Sequence, residues 1–215
     1  MDKLEIIQVS KEINGNKILK DVNLEMVAGK IYGLVCHNGS GKTMLLRTIA
    51  GIMEPDMGKI IFNGKKLYQD IEVLPDVGIT IDGVGLYPEL TGKENLLQLA
   101  RLKGKIGEKE VEMAIERVGL DKKDKRTYRK YSLGMKQRIL IAQAIMEEPK
   151  VLLLDEPTNG LDDEGIMRIR KIIMEEKERG CLVILASHSK EDIAMLCNQV
   201  FHVAKGTVTK AGEEL

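Results

Sequence analysis

The chain has 215 residues, and its 33 lysine and arginine residues are balanced by 33 aspartate and glutamate residues, so its formal net charge is zero. Hydrophobic residues make up 43% and charged residues 31%, which excludes an intrinsically disordered chain. A zero net charge and few aromatic residues (2 Phe, 5 Tyr, no Trp) argue against a nucleic-acid-binding protein. The length predicts one domain with room for a subdomain.

The cysteines and the apolar runs bear on the compartment. Cys36, Cys181 and Cys197 are an odd number and show no metal-ligand spacing. The longest uninterrupted apolar run, 181–186, has six residues, whereas a membrane-spanning helix needs about 20. The N-terminus has no apolar segment typical of a signal peptide. These features predict a reduced, cytoplasmic protein without a membrane span.

Hydrophobic periodicity predicts strands in the first third of the chain and again towards its end. Val22, Leu24 and Met26 alternate with polar neighbours, which is typical of a half-buried strand. The runs 151–154 and 182–186 are continuously apolar, which is typical of strands covered on both faces in a parallel sheet. The predicted strands are 4–9, 22–26, 31–35, 59–62, 77–81, 151–154 and 182–186.

Helical patterns lie between these strands. Thr91 and Glu94 form a capping-box pattern, Ser132 is suited to cap a helix over 135–147, and Gly119 and Gly180 stand where helices end. The apolar positions of the other predicted helices are Leu45, Ile49, Ile52 and Met53; Leu96, Leu97 and Ala100; Val111, Ala114, Ile115 and Val118; and Ile166, Ile169 and Ile173.

The distribution of these elements predicts an α/β fold. Strands dominate the start of the chain, helical patterns dominate the middle, and strands then alternate with helices again. We therefore predict a mostly parallel sheet with helices and an antiparallel N-terminal β part. Residues 1–82 and 149–215 would form this core, and residues 83–148 an inserted helical subdomain.

A glycine-rich segment, Cys36-His-Asn-Gly-Ser-Gly-Lys-Thr43, follows a predicted strand and opens a predicted helix. This is the context of a phosphate-binding P-loop, although Cys36 stands where the first glycine is usual. Backbone N–H groups and the helix N-terminus would bind phosphates, Lys42 would reach the β- and γ-phosphates, and the Thr43 hydroxyl would bind Mg²⁺. The predicted ATP-binding residues here are His37, Asn38, Gly39, Ser40, Gly41, Lys42, Thr43 and Met44.

Two adjacent carboxylates, Asp155 and Glu156, follow the apolar run 151–154. Buried charges cost several kcal/mol unless they are paired or bind a metal, so a purely structural role is difficult to justify. We predict that Asp155 holds Mg²⁺ and that Glu156 activates the attacking water as a general base. The alternative is an acidic turn at the surface.

These motifs together resemble the ATP-binding subunit of an ATP-binding-cassette (ABC) transporter, over essentially the whole chain. The resemblance implies a P-loop NTPase core, hydrolysis of ATP with Mg²⁺, and a dimer of ATPase subunits. It also implies an integral-membrane permease as partner, with this chain at the inner face of the cell membrane. The motifs that carry it are the P-loop, Ser132-x-Gly134, Asp155-Glu156-Pro157, Asn159-Gly160-Leu161-Asp162 and Ser187-His188.

The resemblance also implies roles for residues outside the P-loop. Ser132, Gly134 and Met135 match the signature motif, which contacts ATP across the dimer. Asp162 matches the D-loop. His188 matches the switch histidine, which contacts the γ-phosphate and orients Glu156. Judged without the resemblance, Ser132 is equally well read as a plain helix cap, and His188 as a surface or cap residue.

Besides Cys36, three positions depart from the family pattern. Ile13 replaces the aromatic residue that stacks on adenine, and we expect Ile13 and Ile18 to cover the purine instead. Asp82 replaces the Q-loop glutamine and could approach Mg²⁺ through water, or could simply cap its loop. Leu133 replaces the first signature glycine.

The acidic residue at position 82 and the signature context resemble the cassettes that export antibiotics and lantibiotic peptides. We therefore predict export of a peptide or antibiotic. The alternatives are import of a nutrient, a non-transport ABC ATPase acting on ribosomes or DNA, and a nucleotide sensor that hydrolyses ATP weakly. A basic stretch, 122–130, is read either as a solvated loop or as a contact with the membrane partner or anionic lipid.

Overall fold

The computed structural model describes residues 1–35, 41–81 and 86–211. Its smaller sheet is antiparallel, with strands in the order β2-β1-β4-β5. Strands β1 and β2 form a long hairpin against which β4 packs edge to edge. The strands of this sheet are β1 (Lys3–Ile13), β2 (Asn16–Val27), β4 (Met57–Phe62) and β5 (Lys65–Lys66).

The larger sheet has six strands in the order β10-β9-β3-β8-β7-β6. All neighbouring pairs are parallel except β9 and β10. The carboxyl ends of β3, β7 and β8 therefore meet at one edge, with Leu34 beside Ala186 and Ala186 beside Asp155. Its strands are β3 (Ile31–Val35), β6 (Val77–Thr80), β7 (Val151–Asp155), β8 (Leu182–Ala186), β9 (Gln199–Ala204) and β10 (Thr207–Lys210).

Both faces of the larger sheet are buried. Along β7, Val151 and Leu153 belong to the cluster that includes the smaller sheet, whereas Leu152 and Leu154 belong to the cluster on the helical side. This explains the continuously apolar runs in the sequence, because each successive side chain enters a core. The predicted α/β architecture with an antiparallel N-terminal part is confirmed.

Helices α2 to α4 lie between β6 and β7 in the chain, where the helical segment was expected. Their apolar side chains share one cluster with Leu152 and Leu154 of the sheet. The division into a core and a helical subdomain stays a prediction. The helices are α1 (Lys42–Ala50), α2 (Gly92–Lys103), α3 (Glu108–Arg117), α4 (Leu133–Ile145), α5 (Asp163–Glu178) and α6 (Lys190–Leu196), with a 3-10 turn at Tyr128–Lys130. None of the described helices is long and apolar enough to cross a membrane.

Several helix boundaries follow the predicted capping signals. Thr91 and Glu94 form both hydrogen bonds of a capping box at the start of α2. Gly119 follows α3 with a φ of +76°. The prediction for α1 is wrong at its end, because Gly51 caps the helix in a left-handed conformation and leaves Ile52 exposed beyond it.

Two further differences concern the second half of the chain. Helix α4 begins at Leu133, directly after its cap, rather than at 135. Strands β9 and β10 and helix α6 were not predicted. In β9 the buried residues Phe201 and Val203 alternate with exposed His202 and Ala204, which leaves too short an apolar pattern to separate it from a loop.

The two cysteines in the described part of the chain are poorly reactive. Cys181 is buried and Cys197 partly buried, and burial raises the pKa of each thiol to about 12. Since only the thiolate is a nucleophile or metal ligand, these residues serve as small apolar groups in the core.

The contact between β6 and α4 provides a test of the packing. A Cβ on Gly78 would lie 1.9 Å from the Ala144 carbonyl oxygen, which belongs to the α4 backbone. We expect Gly78→Ala to lower the free energy of unfolding by about 2 kcal/mol or more, because the helix must move away from the sheet. Urea unfolding followed by circular dichroism measures this.

Gly107→Ala is the matched control. Gly107 has a negative φ, and its nearest contact, Glu110 Oε2, would be 3.5 Å from the new Cβ. We expect a loss of about 1 kcal/mol or less, since alanine is only a weaker helix cap. Equal losses in both variants would contradict the proposed packing of α4 on β6.

Candidate active site

The predicted catalytic residues converge at the edge where β3, β7 and β8 end. Helix α1 begins at Lys42, immediately beyond Gly41, whose φ is +103°. A Cβ on Gly41 would lie 3.1 Å from the Ile18 carbonyl oxygen. Glycine is therefore required here both by the left-handed backbone and by the close approach of β2.

Thr43 and Asp155 are brought into direct contact, as expected of two ligands of one ion. The Thr43 hydroxyl donates to Asp155 Oδ2 at 2.6 Å, and the Asp155 N–H donates to Thr80 Oγ1 at 3.2 Å. A hydroxyl and a carboxylate are hard oxygen donors that suit Mg²⁺, which usually takes its remaining ligands from water and substrate phosphate. Within the described residues no cluster of three acidic, histidine or cysteine side chains offers a fuller metal site.

Lys42, Glu156 and His188 form a chain of polar contacts beside this pair. Lys42 Nζ lies 2.7 Å from Glu156 Oε1, and His188 Nδ1 lies 2.7 Å from Glu156 Oε2. The Lys42 side chain is only 8% exposed, whereas that of His188 is 64% exposed. Glu156 therefore balances the charge of a buried lysine and also meets a histidine that solvent or a ligand can reach.

The backbone at Glu156 is held in an unusual conformation. Its φ is +47°, a left-handed region that costs a non-glycine residue roughly 1–3 kcal/mol. Three hydrogen bonds fix it: Glu156 N–H to Ala186 O at 2.9 Å, Gln137 Nε2 to Glu156 O at 3.2 Å, and Asn159 N–H to Glu156 O at 3.1 Å. In this conformation the Glu156 carboxylate lies between Lys42 and His188.

The signature residues pack against the D-loop of the same chain. The Ser132 hydroxyl accepts a hydrogen bond from Met135 N–H at 3.2 Å, so Ser132 is the N-cap of α4. A Cβ on Gly134 would lie 3.0 Å from the Gly160 carbonyl oxygen and 3.5 Å from Leu161 Cδ2, so the first turn of α4 packs against the start of the predicted D-loop, Leu161-Asp162. A role for Ser132, Gly134 and Met135 towards ATP stays a prediction.

Asp162 also links α4 to the segment that follows β7. Its side chain accepts from Gly165 N–H at 3.0 Å and so caps α5, and it lies 3.0 Å from Arg138 Nη2 of α4. Leu133, which replaces a family glycine, is 68% exposed, and a Cβ on Gly160 would lie 2.6 Å from its Cδ2 atom. Leu133 is therefore accommodated because residue 160 has no side chain.

The remaining predicted residues are placed less completely. Ile18 lies against Gly41, whereas Ile13 ends β1 next to the hairpin turn. The Met44 carbonyl accepts from Thr48 Oγ1 at 2.8 Å within α1. The predicted ATP-binding residues His37, Asn38, Gly39 and Ser40, the departure at Cys36, and the predicted Mg²⁺ contact Asp82 lie outside the described residues.

Sequence reasoning missed two residues that support the site. Gln137 and Thr80 bind the backbone of the two carboxylate residues, as described above. Ser187, which the sequence motif pairs with His188, is completely buried. Gln137 lies two residues after Met135 of the predicted signature motif, but no local pattern shows that its amide reaches Glu156. Such contacts depend on how α4 lies across the sheet.

The basic stretch is partly neutralised. Lys122 lies 3.1 Å from Glu112 Oε2, and Arg126 lies 2.8 Å from Asp124 Oδ2. These ion pairs favour its reading as a solvated loop.

Comparison with known proteins identifies the family. A family model described as ABC transporter matches residues 19–159. The chain is 40% identical over 203 residues to an uncharacterized ABC transporter ATP-binding protein, YybJ, of Bacillus subtilis, covering 94% of this chain and 93% of that protein. It is 38% identical to the bacitracin transport ATP-binding protein BcrA of Enterococcus faecalis, covering 92% of this chain and 65% of that protein.

A third relative is the lantibiotic transport ATP-binding protein SrtF of Streptococcus pyogenes, 33% identical, with 95% of this chain and 88% of that protein covered. Among solved structures, an ATP-binding subunit of an ABC transporter aligns with a TM-score of 0.80 at 27% identity, over 97% of this chain and 89% of that chain. The dimeric cassette MJ0796 bound to ADP and Pi shares the fold, with a TM-score of 0.85 at 21% identity over 98% and 100% of the two chains. The chain therefore belongs to the ABC transporter family, as an ATP-binding and ATP-hydrolysing subunit.

Proposed function

We propose that this ATPase powers the export of a peptide or antibiotic through a separate integral-membrane permease. The relatives named for bacitracin and lantibiotic transport support this cargo class. The protein would then lie in the cytoplasm, peripherally attached to the inner face of the cell membrane. Nucleic acid is not expected as a partner, because the net charge is zero.

The observation that carries the catalytic proposal is the chain of contacts from Lys42 through Glu156 to His188. Lys42 would exchange its contact with Glu156 for the β- and γ-phosphates of ATP. The Glu156 carboxylate would then be released to accept a proton from the attacking water. Its partner His188, exposed on its other side, would contact the γ-phosphate and hold the Glu156 carboxylate in position.

In the proposed reaction, the water oxygen forms a bond to the γ-phosphorus while the bond between that phosphorus and the β,γ-bridging oxygen breaks. Glu156 takes the proton of the water, and ADP and phosphate leave. Thr43 and Asp155 would hold Mg²⁺, which would offset the negative charge of the ATP phosphates. Asp82 remains proposed as a further contact through water.

We further propose a head-to-tail dimer in which each ATP lies between the P-loop of one subunit and the signature residues of the other. The N-terminus of α4 at Ser132 supports this, because a helix N-terminus favours an anionic phosphate. The two subunits could be two copies of this chain or one copy with a related cassette.

Glu156→Gln tests the catalytic role. We expect ATP turnover to fall at least about a hundredfold, because the variant cannot accept the proton of the water. ATP should still bind, since Lys42 and Thr43 are unchanged, and the bound ATP should hold the dimer together. Phosphate release and size-exclusion chromatography with light scattering measure the two effects.

Lys42→Ala is the control, for which we expect loss of both ATP binding and dimerisation. The assignment is wrong if Glu156→Gln retains wild-type turnover and stays monomeric at saturating Mg-ATP. Wild-type turnover no faster than that of Lys42→Ala would instead favour a nucleotide sensor.

The transport proposal is tested by purifying the tagged protein from native membranes in mild detergent and identifying its partners by mass spectrometry. We expect a stoichiometric membrane protein with several spans. We also expect peptides of the exported class to stimulate the ATPase activity of the purified complex. Stimulation by a nutrient and its binding protein would favour import. Ribosomal proteins or DNA as the stoichiometric partner would favour a non-transport ATPase.

A further inference from the structure

Asp192 of helix α6 lies outside the residues used above, yet its carboxylate joins three separate elements. The residue is only 1% exposed. Its Oδ2 atom accepts from Thr158 Oγ1 at 2.6 Å. Its Oδ1 atom lies 2.7 Å from Nε and 2.6 Å from Nη2 of Arg170. The carboxylate thus ties the loop after β7, through Thr158, and helix α5, through Arg170, to α6.

These contacts compensate for the burial of the Asp192 carboxylate. A buried carboxylate costs several kcal/mol unless it is paired and its lone pairs are hydrogen-bonded. Arg170 supplies the opposite charge with two donors on one oxygen, and Thr158 supplies a hydroxyl on the other. Since both oxygens have fixed partners, the side chain is held in one orientation.

Thr158 fixes the loop that carries the proposed general base. It lies two residues after Glu156 and four before Asp162. The loop folds back on itself, because Asn159 N–H donates to Glu156 O at 3.1 Å and Leu161 N–H donates to Thr158 O at 3.3 Å. Holding Thr158 therefore restrains both the Glu156 backbone and the D-loop.

The backbone N–H of Asp192 helps to fix the loop that carries His188. Asp192 N–H donates to Ser189 Oγ at 3.2 Å, and Ser189 N–H donates to Ser187 Oγ at 3.0 Å. Ser187 N–H donates to Leu34 O of β3 at 3.2 Å. His188 lies between these two serines, so its backbone is anchored on both sides.

We propose that Asp192 is a positioning residue, which clamps the Glu156–Asp162 loop to the His188 loop so that His188 stays within hydrogen-bonding distance of Glu156. This inference rests on the proposed function of that pair. The clamp touches neither Lys42 nor Thr43. Its loss should therefore slow the chemical step without weakening ATP binding.

The direct test compares two variants of the clamp. Asp192→Asn removes the charge, and Thr158→Val removes only the hydroxyl while keeping the shape of the side chain. Because displacement of a catalytic group by about 1 Å can cost a hundredfold in rate, we expect each variant to lower kcat roughly ten- to a hundredfold. We expect KM for ATP and the Kd of a non-hydrolysable analogue to change less than about twofold, and the double variant to be no slower than the slower single variant.

Glu191→Gln is the matched control. Glu191 binds the same Arg170 at 3.1 Å, but its side chain is 69% exposed, and it has no role in the clamp. We expect its kcat to stay within about twofold of wild type, since exposed ion pairs contribute little. If Asp192→Asn loses thermal stability, the conclusion rests on Thr158→Val, which removes a single hydroxyl and leaves the ion pair of Asp192 with Arg170 in place.

A second measurement separates positioning from general stability. In a His188→Ala background, Asp192→Asn should lower the residual single-turnover rate much less than in wild type, because the Glu156–His188 contact that the clamp maintains is already lost. An equal loss in both backgrounds, or clamp variants as active as Glu191→Gln, would overturn the inference. In either case wild-type hydrolysis that depends on Glu156 would leave the proposed function intact, whereas a wild-type chain without such hydrolysis would overturn both.

Discussion

The hydrogen bond from Glu156 N–H to Ala186 O extends the pairing of β7 and β8 one residue beyond strand β7. It fixes where the chain leaves the sheet and supports the left-handed backbone at Glu156. From this point Asp155 faces Thr43 of the first helix, and Glu156 faces Lys42 and His188. Two adjacent carboxylates can end a buried strand here because each has a partner at once.

Polar side chains from distant elements surround this strand end. Gln137 of α4 binds the Glu156 carbonyl, and Thr158 of the following loop binds Asp192 of α6. Arg138 of α4 meets Asp162 at the start of α5. Helix α4, the loop from Glu156 to Asp162, and helix α6 are therefore connected within one subunit. In a head-to-tail dimer, the same connections would run from one ATP site towards the other.

Much of the fold could be predicted from the sequence because its signals are local. Strand β8 begins and ends as the continuous apolar run indicates, and the Thr91–Glu94 capping box forms as its spacing predicts. The errors also have local causes. Gly51 ended α1 before Ile52, since a left-handed cap outweighed the apolar pattern beyond it. Strand β9 was missed because its two buried residues make too short a pattern.

The sequence by itself determined the family, the ATPase chemistry and the residue types at the site, because a P-loop and an acidic strand end are contiguous motifs whose chemistry is local. Tertiary structure alone decided which side chains support them. Asp192 is separated from Thr158 by 34 positions, and Gln137 from Glu156 by 19. No periodicity links such pairs, since their meeting depends on how helices lie across a sheet. Burial favours these particular contacts, because a buried polar group without a hydrogen-bond partner costs free energy.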